Sequence, residues 1–147
     1  MSTYLGLHYH LIFGTKDREP SIPRTLLADF HDYLGGVVHG LGGEPHGIGG
    51  ISDHVHLQVT LKATHCLADF MRELKKASSL WMHHEGRQPG FAWQEGYCAL
   101  TVSPSARKSV RRYIANQEEH HRVKTFREEL LEFLKKADVR YDERYLA

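Results

Sequence analysis

The sequence has few of the features that place a protein in a membrane or in an oxidising compartment. No segment approaches the roughly 18 uncharged apolar residues that a membrane span requires. Cys66 and Cys98 are too few for a disulfide scaffold and too far apart for a zinc motif, so we expect both to be small buried hydrophobic residues. The first residues also lack a basic leader followed by a long apolar stretch. We therefore expect them to belong to the fold of a cytoplasmic protein with no membrane partner.

Charge excess, repeats and linkers are also missing. The net charge is +1, which argues neither for nor against an anionic partner, because local clustering matters more than the sum. No internal repeat, low-complexity tract or long Pro/Gly/Ser-rich linker divides the chain, so we expect residues 1–147 to form one domain. No nucleotide-binding motif is visible either.

The hydrophobic pattern predicts an α+β fold. Residues 3–16, 44–52, 52–62 and 96–103 have the composition or the alternation of strands, and helical spacing of apolar residues follows the first and the third of them. This β-α-β-β-α-β order is that of the ferredoxin-like sandwich, an antiparallel sheet with helices on one face and with the first and third strands in the centre. A further helix begins at Ser103 and Pro104, and a short amphipathic helix over 126–137 ends the pattern.

Two histidines lie on one side of the predicted third strand. Val55, Leu57 and Val59 alternate with His54 and His56. The aliphatic residues must face the helices, so the pleat brings both imidazoles to the other face, which we expect to be uncovered. Two imidazoles at this spacing can reach one metal ion, but they leave a catalytic site incomplete without a third protein ligand.

The predicted helix after the fourth strand offers further candidates. Tyr113 and Gln117 are four residues apart, so a phenol oxygen and an amide oxygen project from one stripe. The same stripe contains Ala106, Val110 and Ile114. On spacing alone, a tyrosine packed in the core is therefore the more ordinary interpretation.

The other histidine pairs have weaker claims to a site. His8 and His10 repeat the i, i+2 spacing on the first strand, but without the surrounding "DHVH" context. The pairs at 83–84 and 120–121 are consecutive, so their members point in different directions along a helix. We interpret the consecutive pairs as solvated helix ends.

Two motifs resemble those of a known family. "DHVHLQV" resembles the histidine-hydrophobic-histidine (HUH) motif, and "YIANQ" the Tyr-x-x-x-Gln motif, of single-tyrosine transposases of the IS200 type. The similarity extends from about Tyr4 to about His121. It implies a metal-dependent nuclease and strand transferase that acts on single-stranded DNA with hairpins at the element ends, without a nucleotide cofactor. It also implies a homodimer in which the tyrosine helix of one subunit can complete the site of the other.

The resemblance assigns a role to each motif residue. It implies that His54, His56 and Gln117 bind the metal and that Tyr113 is the nucleophile, which forms a 5′-phosphotyrosine link. Imidazole and amide oxygen ligands without thiolates favour Mg²⁺ or Mn²⁺ over a structural zinc. The enzyme would work in the bacterial cytosol, at the nucleoid when bound to DNA.

Basic residues near these motifs are candidates for phosphate contacts, because clustered cations neutralise the DNA backbone. Four lie on the tyrosine helix and two on the second helix: Arg107, Lys108, Arg111, Arg112, Lys75 and Lys76.

Two other functions stay open from the sequence. RNA-recognition domains share this strand and helix order, so the chain could be a non-catalytic module that binds single-stranded nucleic acid. Such a module needs aromatic platforms on its central strands, whereas the third strand offers His54, His56 and Gln58. The second alternative is a metal-dependent enzyme of other chemistry, in which Tyr113 is structural.

Overall fold

The computed structural model describes residues 1–86 and 88–146, and its main elements follow the predicted order. None of the helices in these two ranges combines the length and the apolarity needed to cross a bilayer. The strands and helices have these bounds: β1 His8–Gly14, α1 Leu27–Gly40, β2 Glu44–Ile51, β3 His54–Thr60, α2 Leu67–His84, β4 Cys98–Thr101, α3 Arg107–Ala115, α4 Gln117–His120 and α5 Phe126–Lys136.

The four strands form one antiparallel sheet with the order β2-β3-β1-β4. The first and third strands are therefore central, as predicted. Leu11 of β1 lies opposite Leu57 of β3, and Ile12 lies opposite His56. Opposed residues share a face of the sheet, so this register separates an aliphatic face from a face that carries the histidines.

Helices α1 and α2 cover the aliphatic face. Leu11, Val55 and Leu57 are fully buried there, together with Phe30 of α1 and Leu74 of α2. Residues this deeply buried supply most of the free energy that favours folding, at roughly 25 cal/mol per Å² of apolar surface removed from water. The α+β sandwich predicted from the hydrophobic pattern is confirmed.

The second face of the sheet is not open, and the expectation of an uncovered face is wrong. His54 and His56 do point to it, but both have 0% exposure. Helix α3 packs across β2 and β3, and α5 folds back so that Phe126 stacks on His54 at 4.1 Å between ring centroids. The apolar stripe of α5 needs a partner surface, and the histidine face of the sheet provides it.

The glycine-broken sequence of β2 allows α3 to approach the sheet closely. A Cβ atom at Gly49 would lie 2.0 Å from the carbonyl oxygen of Ile114. No side chain can occupy that space, so a glycine is needed where the tyrosine helix crosses the strand.

Some local details differ from the sequence interpretation. Helix α2 begins at Leu67, and Cys66 precedes it without a capping hydrogen bond from its side chain. Cys66 is exposed and Cys98 is half-buried, so the prediction that both are buried is wrong. Both thiols are free.

Candidate active site

His54 and His56 present the same edge of their rings to one point above β3. The Nδ1–H of His54 donates to Asp53 Oδ1 at 2.7 Å, and Nδ1 of His56 is bonded to Nε2 of His10 at 2.7 Å. The outer ring nitrogens are therefore engaged, and both Nε2 atoms face the interior of the site. Metal-binding histidines are commonly held this way, with the second nitrogen bonded to a carboxylate or another polar group.

His10 supports the site from the neighbouring strand. Its side chain is 2% exposed, and its ring packs at 5.0 Å from the rings of His56 and Phe133. The i, i+2 pair on β1 thus contributes one histidine that bonds to His56 rather than facing the centre.

Gln117 and Tyr113 lie beside these imidazoles. Oε1 of Gln117 is 3.0 Å from Nε2 of His54, and the ring of Tyr113 is 5.9 Å from that of His56. All four residues belong to one chain. The sequence predicts a single continuous helix here, but it is interrupted at Asn116, so that Tyr113 lies in the last turn of α3 and Gln117 begins α4.

Glu129 of α5 lies in the middle of this group, although the sequence interpretation did not include it. Its side chain is 1% exposed. Its Oε1 atom is 2.8 Å from Nε2 of His56, while Oε2 accepts hydrogen bonds from the hydroxyl of Tyr113 and from the amide of Gln117. The available signal was a charged residue on the apolar stripe of α5, among Phe126, Leu130 and Phe133.

His121 also enters the group, so the interpretation of residues 120–121 as a solvated pair is wrong for this residue. Its side chain is 3% exposed. The Nδ1–H donates to the carbonyl of Lys124 at 2.6 Å, and Nε2 is 3.0 Å from Oε1 of Gln117. A pair of consecutive histidines after a helix gave no sign in the sequence that one of them turns inward.

Burial and the carboxylates of Asp53 and Glu129 set the protonation of His10, His54 and His56. Burial lowers the pKa of His10 to about 3 and that of His56 to about 4. Burial also acts to lower the pKa of His54, but hydrogen bonds to Asp53 and Glu129 outweigh it and raise this pKa to about 9. At neutral pH His54 is therefore the charged member among these three.

The acid and the phenol are shifted in opposite directions. Burial acts to raise the pKa of Glu129, but hydrogen bonds from His121, His54 and His56 hold it far below its usual range. Burial, and then the hydrogen bond to Glu129, raise the pKa of Tyr113 well above its usual value. The site therefore combines a carboxylate with a protonated phenol.

The donor set fits a divalent metal ion. Ligand atoms of His54, His56, His121 and Glu129 all lie within 4.8 Å of one another. Imidazole nitrogens and a carboxylate oxygen are ordinary ligands of such ions, and roughly 2.0–2.2 Å bonds put neighbouring ligand atoms about 3–4 Å apart. This buried group could hold one ion with little movement.

The predicted DNA-binding residues lie on two sides of the sheet. Lys108, Arg111 and Arg112 are exposed on α3, where Arg107 is half-buried. Helix α2 covers the opposite face. There Nζ of Lys75 donates to the backbone carbonyls of residues 94 and 96, and burial lowers its pKa, whereas Lys76 is exposed. A contact between these residues and DNA stays a prediction.

Comparison with known proteins identifies the class of enzyme. The family model for IS200-like transposases matches residues 3–117, which is well over half of the chain. The chain therefore belongs to this transposase family, whose members are DNA nicking and strand-transfer enzymes. The match ends at Gln117, so His121 and Glu129 lie beyond it.

Individual relatives agree with this assignment. The ISDra2 transposase TnpA of Deinococcus radiodurans is 30% identical over 117 residues, covering 76% of this chain and 84% of that protein. The crystal structure of a proposed transposase from Deinococcus radiodurans R1 is 30% identical, with a TM-score of 0.59 over 80% of this chain and 98% of that one. A REP-associated tyrosine transposase bound to a REP hairpin has the same fold, at 18% identity and a TM-score of 0.56 over 78% of this chain and 70% of that one.

Proposed function

We propose that this transposase nicks and rejoins single-stranded DNA by metal-dependent transesterification, with Tyr113 as the nucleophile. One observation carries the proposal. Oε1 of Gln117 lies 3.0 Å from Nε2 of His54, and one turn earlier the hydroxyl of Tyr113 enters the same buried group. Two sequence motifs that are 57 residues apart at their nearest ends, counted from His56 to Tyr113, therefore converge on one site.

The chemistry balances without a nucleotide cofactor. The oxygen of Tyr113 attacks a backbone phosphorus, the bond from phosphorus to the 3′ oxygen breaks, and a 5′-phosphotyrosine and a free 3′-hydroxyl result. Oε2 of Glu129 orients the hydroxyl of Tyr113 by accepting its hydrogen bond, the phenol proton is released to solvent, and the departing 3′ oxygen takes up a proton. A second 3′-hydroxyl then attacks the phosphotyrosine and releases the phenol, so the phosphoester bond energy is kept.

His54, His56 and Gln117 would hold the divalent ion, which we propose to be Mg²⁺ or Mn²⁺. Such an ion polarises the scissile phosphate and favours the phenolate over the phenol. The protein residues orient the reaction. His10 and Asp53 fix the two imidazole rings, and the interruption at Asn116 turns Gln117 towards them.

The proposed substrate is DNA with a hairpin near the cleavage site. A structural neighbour is bound to a REP hairpin, which supports such a partner. The exposed cations of α3 lie on the helix that bears Tyr113, where they can contact phosphates on either side of the cleaved bond. We further propose that residues 1–147 form one transposase domain that acts as a homodimer in the bacterial cytosol, at the nucleoid when it is bound to DNA.

The two alternatives fit the structure less well. A binding module of the RNA-recognition type displays aromatic residues on an open sheet, but here the corresponding face is covered and carries buried histidines. A metal enzyme of other chemistry would leave Tyr113 as packing. The hydroxyl of Tyr113 is bonded to the same carboxylate as the imidazoles, which favours a role in the reaction.

The experiment is to incubate the full chain with Mn²⁺ and labelled single-stranded hairpin DNA and to separate the products under denaturing conditions. We expect a DNA–protein adduct that survives denaturation. Tyr113→Phe should abolish the adduct and keep DNA binding, and His54→Ala should abolish it through loss of the ion. An adduct formed by Tyr113→Phe would contradict the assignment of the nucleophile.

A further inference from the structure

Three imidazoles at the site share one orientation. His54, His56 and His121 each use Nδ1 in an outward hydrogen bond, to Asp53, His10 and the carbonyl of Lys124 respectively. Each turns Nε2 to the centre. A third histidine held in the same way as the two motif histidines is what a built metal site requires, because the outer bond fixes both the tautomer and the ring orientation.

One carboxylate oxygen lies at the point where these nitrogens converge. Oε1 of Glu129 is 2.8 Å from Nε2 of His56, 3.3 Å from that of His54 and 3.2 Å from that of His121. Two of these distances fall within the roughly 3–4 Å that separates neighbouring ligands of a single ion, and the contact with His56 is slightly shorter. The four donor atoms therefore already stand close to the arrangement that they would have around a metal.

The buried carboxylate of Glu129 and the three Nε2 atoms around it form a group of donors that can bind a cation. Glu129 is 1% exposed, and a carboxylate is almost never buried so completely without a positive partner. The cations that precede Glu129 are engaged elsewhere: Lys124 binds Glu132 through Nζ at 2.7 Å to both carboxylate oxygens, and Arg127 donates to the backbone carbonyls of Glu143 and Leu146. An ion held among the three imidazoles would take over the compensation that their hydrogen bonds give to Glu129 in this structure.

We propose that His121 and Glu129 are ligands of the divalent ion, so that the centre is made of three imidazoles and a carboxylate and selects a first-row transition ion such as Mn²⁺ over Mg²⁺. This inference rests on the proposed function. It narrows the proposed ion from Mg²⁺ or Mn²⁺ to a transition ion such as Mn²⁺. Mg²⁺ prefers an oxygen-rich shell, whereas imidazoles suit transition ions. Gln117 keeps its place in the shell, since Oε1 is 3.0 Å from the Nε2 atoms of both His54 and His121.

The C-terminal segment contributes two of the proposed ligands. His121 and Glu129 lie after residue 117, where the family match ends. The C-terminal segment with α5 is then part of the metal centre itself, and not only a cover over the sheet.

The test is a direct measurement of metal binding on the metal-stripped full chain. Mn²⁺ is titrated and the free ion is followed by electron paramagnetic resonance. We expect Glu129→Gln and His121→Gln each to weaken Mn²⁺ binding about tenfold or more, as loss of a ligand does. The matched controls are Glu128→Gln, next to Glu129 on the exposed side of α5, and His84→Gln, exposed at the end of α2. Both controls should bind Mn²⁺ as the unmodified chain does.

A second measurement needs no variant and so does not depend on folding of the mutants. About a hundredfold excess of Mg²⁺ over Mn²⁺ should leave most of the Mn²⁺ bound to the unmodified chain. Displacement of Mn²⁺ by an equal concentration of Mg²⁺ would overturn the proposal. So would unchanged Mn²⁺ affinity in both Glu129→Gln and His121→Gln.

The failure of this inference can be told apart from failure of the proposed function. If His54→Ala loses Mn²⁺ and the unmodified chain forms the DNA adduct, while His121→Gln and Glu129→Gln bind normally, only the extended ligand set is wrong. If the unmodified chain forms no adduct although it binds Mn²⁺ through these residues, the proposed reaction fails and the metal centre stands.

Discussion

Gly49→Ala should displace the tyrosine helix by a measurable amount. The new Cβ atom would lie 2.0 Å from the carbonyl oxygen of Ile114, whereas ordinary contact begins at 3.4 Å. The difference of about 1.4 Å cannot be relieved by rotating a side chain, because the opposing atom is backbone. Helix α3 must therefore move away from β2, and Tyr113 must move with it.

Two magnitudes follow from this displacement. Overpacking of a tight interior costs about 1–3 kcal/mol, which for a protein of this size lowers the melting temperature by roughly 2–4 °C per kcal/mol. A shift of about 1 Å in a reacting group can cost about a hundredfold in rate. We therefore expect a melting temperature about 5 °C lower, and adduct formation slowed by about two orders of magnitude under single-turnover conditions.

Gly36→Ala is the matched control. Gly36 is exposed on α1, on the other face of the sheet, and a Cβ atom there would meet nothing within 4 Å. Alanine in a helix is favoured over glycine by about 0.5–1 kcal/mol, so this variant should be slightly more stable and react at the normal rate. The reasoning is refuted if Gly49→Ala melts and reacts like the unmodified chain, because α3 would then not pack on β2 as described.

Two further predictions concern groups around the site. Burial raises the pKa of Cys98 to about 11, so at pH 8 only about a thousandth of this thiol is thiolate, and iodoacetamide should modify the exposed Cys66 first. In Cys66→Ser the rate at Cys98 should rise about tenfold per pH unit above pH 8 by mass spectrometry, and a rate independent of pH would contradict this. Phe126 is 3% exposed and stacks on His54 with 7° between the rings, so Phe126→Ala should cost about 3–5 kcal/mol in chemical denaturation. A loss below about 1 kcal/mol would mean that α5 does not anchor there.

The part of the site that could be predicted follows from local periodicity. The pleat of β3 puts His54 and His56 on one face, whatever the rest of the chain does. Helical spacing brings Tyr113 and Gln117 near one another even though the helix is interrupted at Asn116. Their arrival beside the histidines is a long-range contact, and the family resemblance rather than spacing predicted it.

The positions of Glu129 and His121 could not be predicted, because they depend on where the C-terminal segment packs. An amphipathic helix such as α5 shows in its sequence that it needs a partner surface, but not which surface. Once α5 packs on the histidine face, Glu129 becomes buried and His121 turns inward. In the sequence, the position of Glu129 on the apolar stripe of α5 was the one indication that it pairs with other groups, because a carboxylate is rarely buried unless it is paired.

The most direct test of the account is to identify the residue that carries the DNA. The adduct made with Mn²⁺ and hairpin DNA is digested with nuclease and protease, and the peptide that retains a nucleotide is sequenced by mass spectrometry. The chain contains seven tyrosines. The account predicts the modification at Tyr113 alone, through a 5′-phosphate. A nucleotide on another residue, or a 3′-phosphate link at Tyr113, would contradict it.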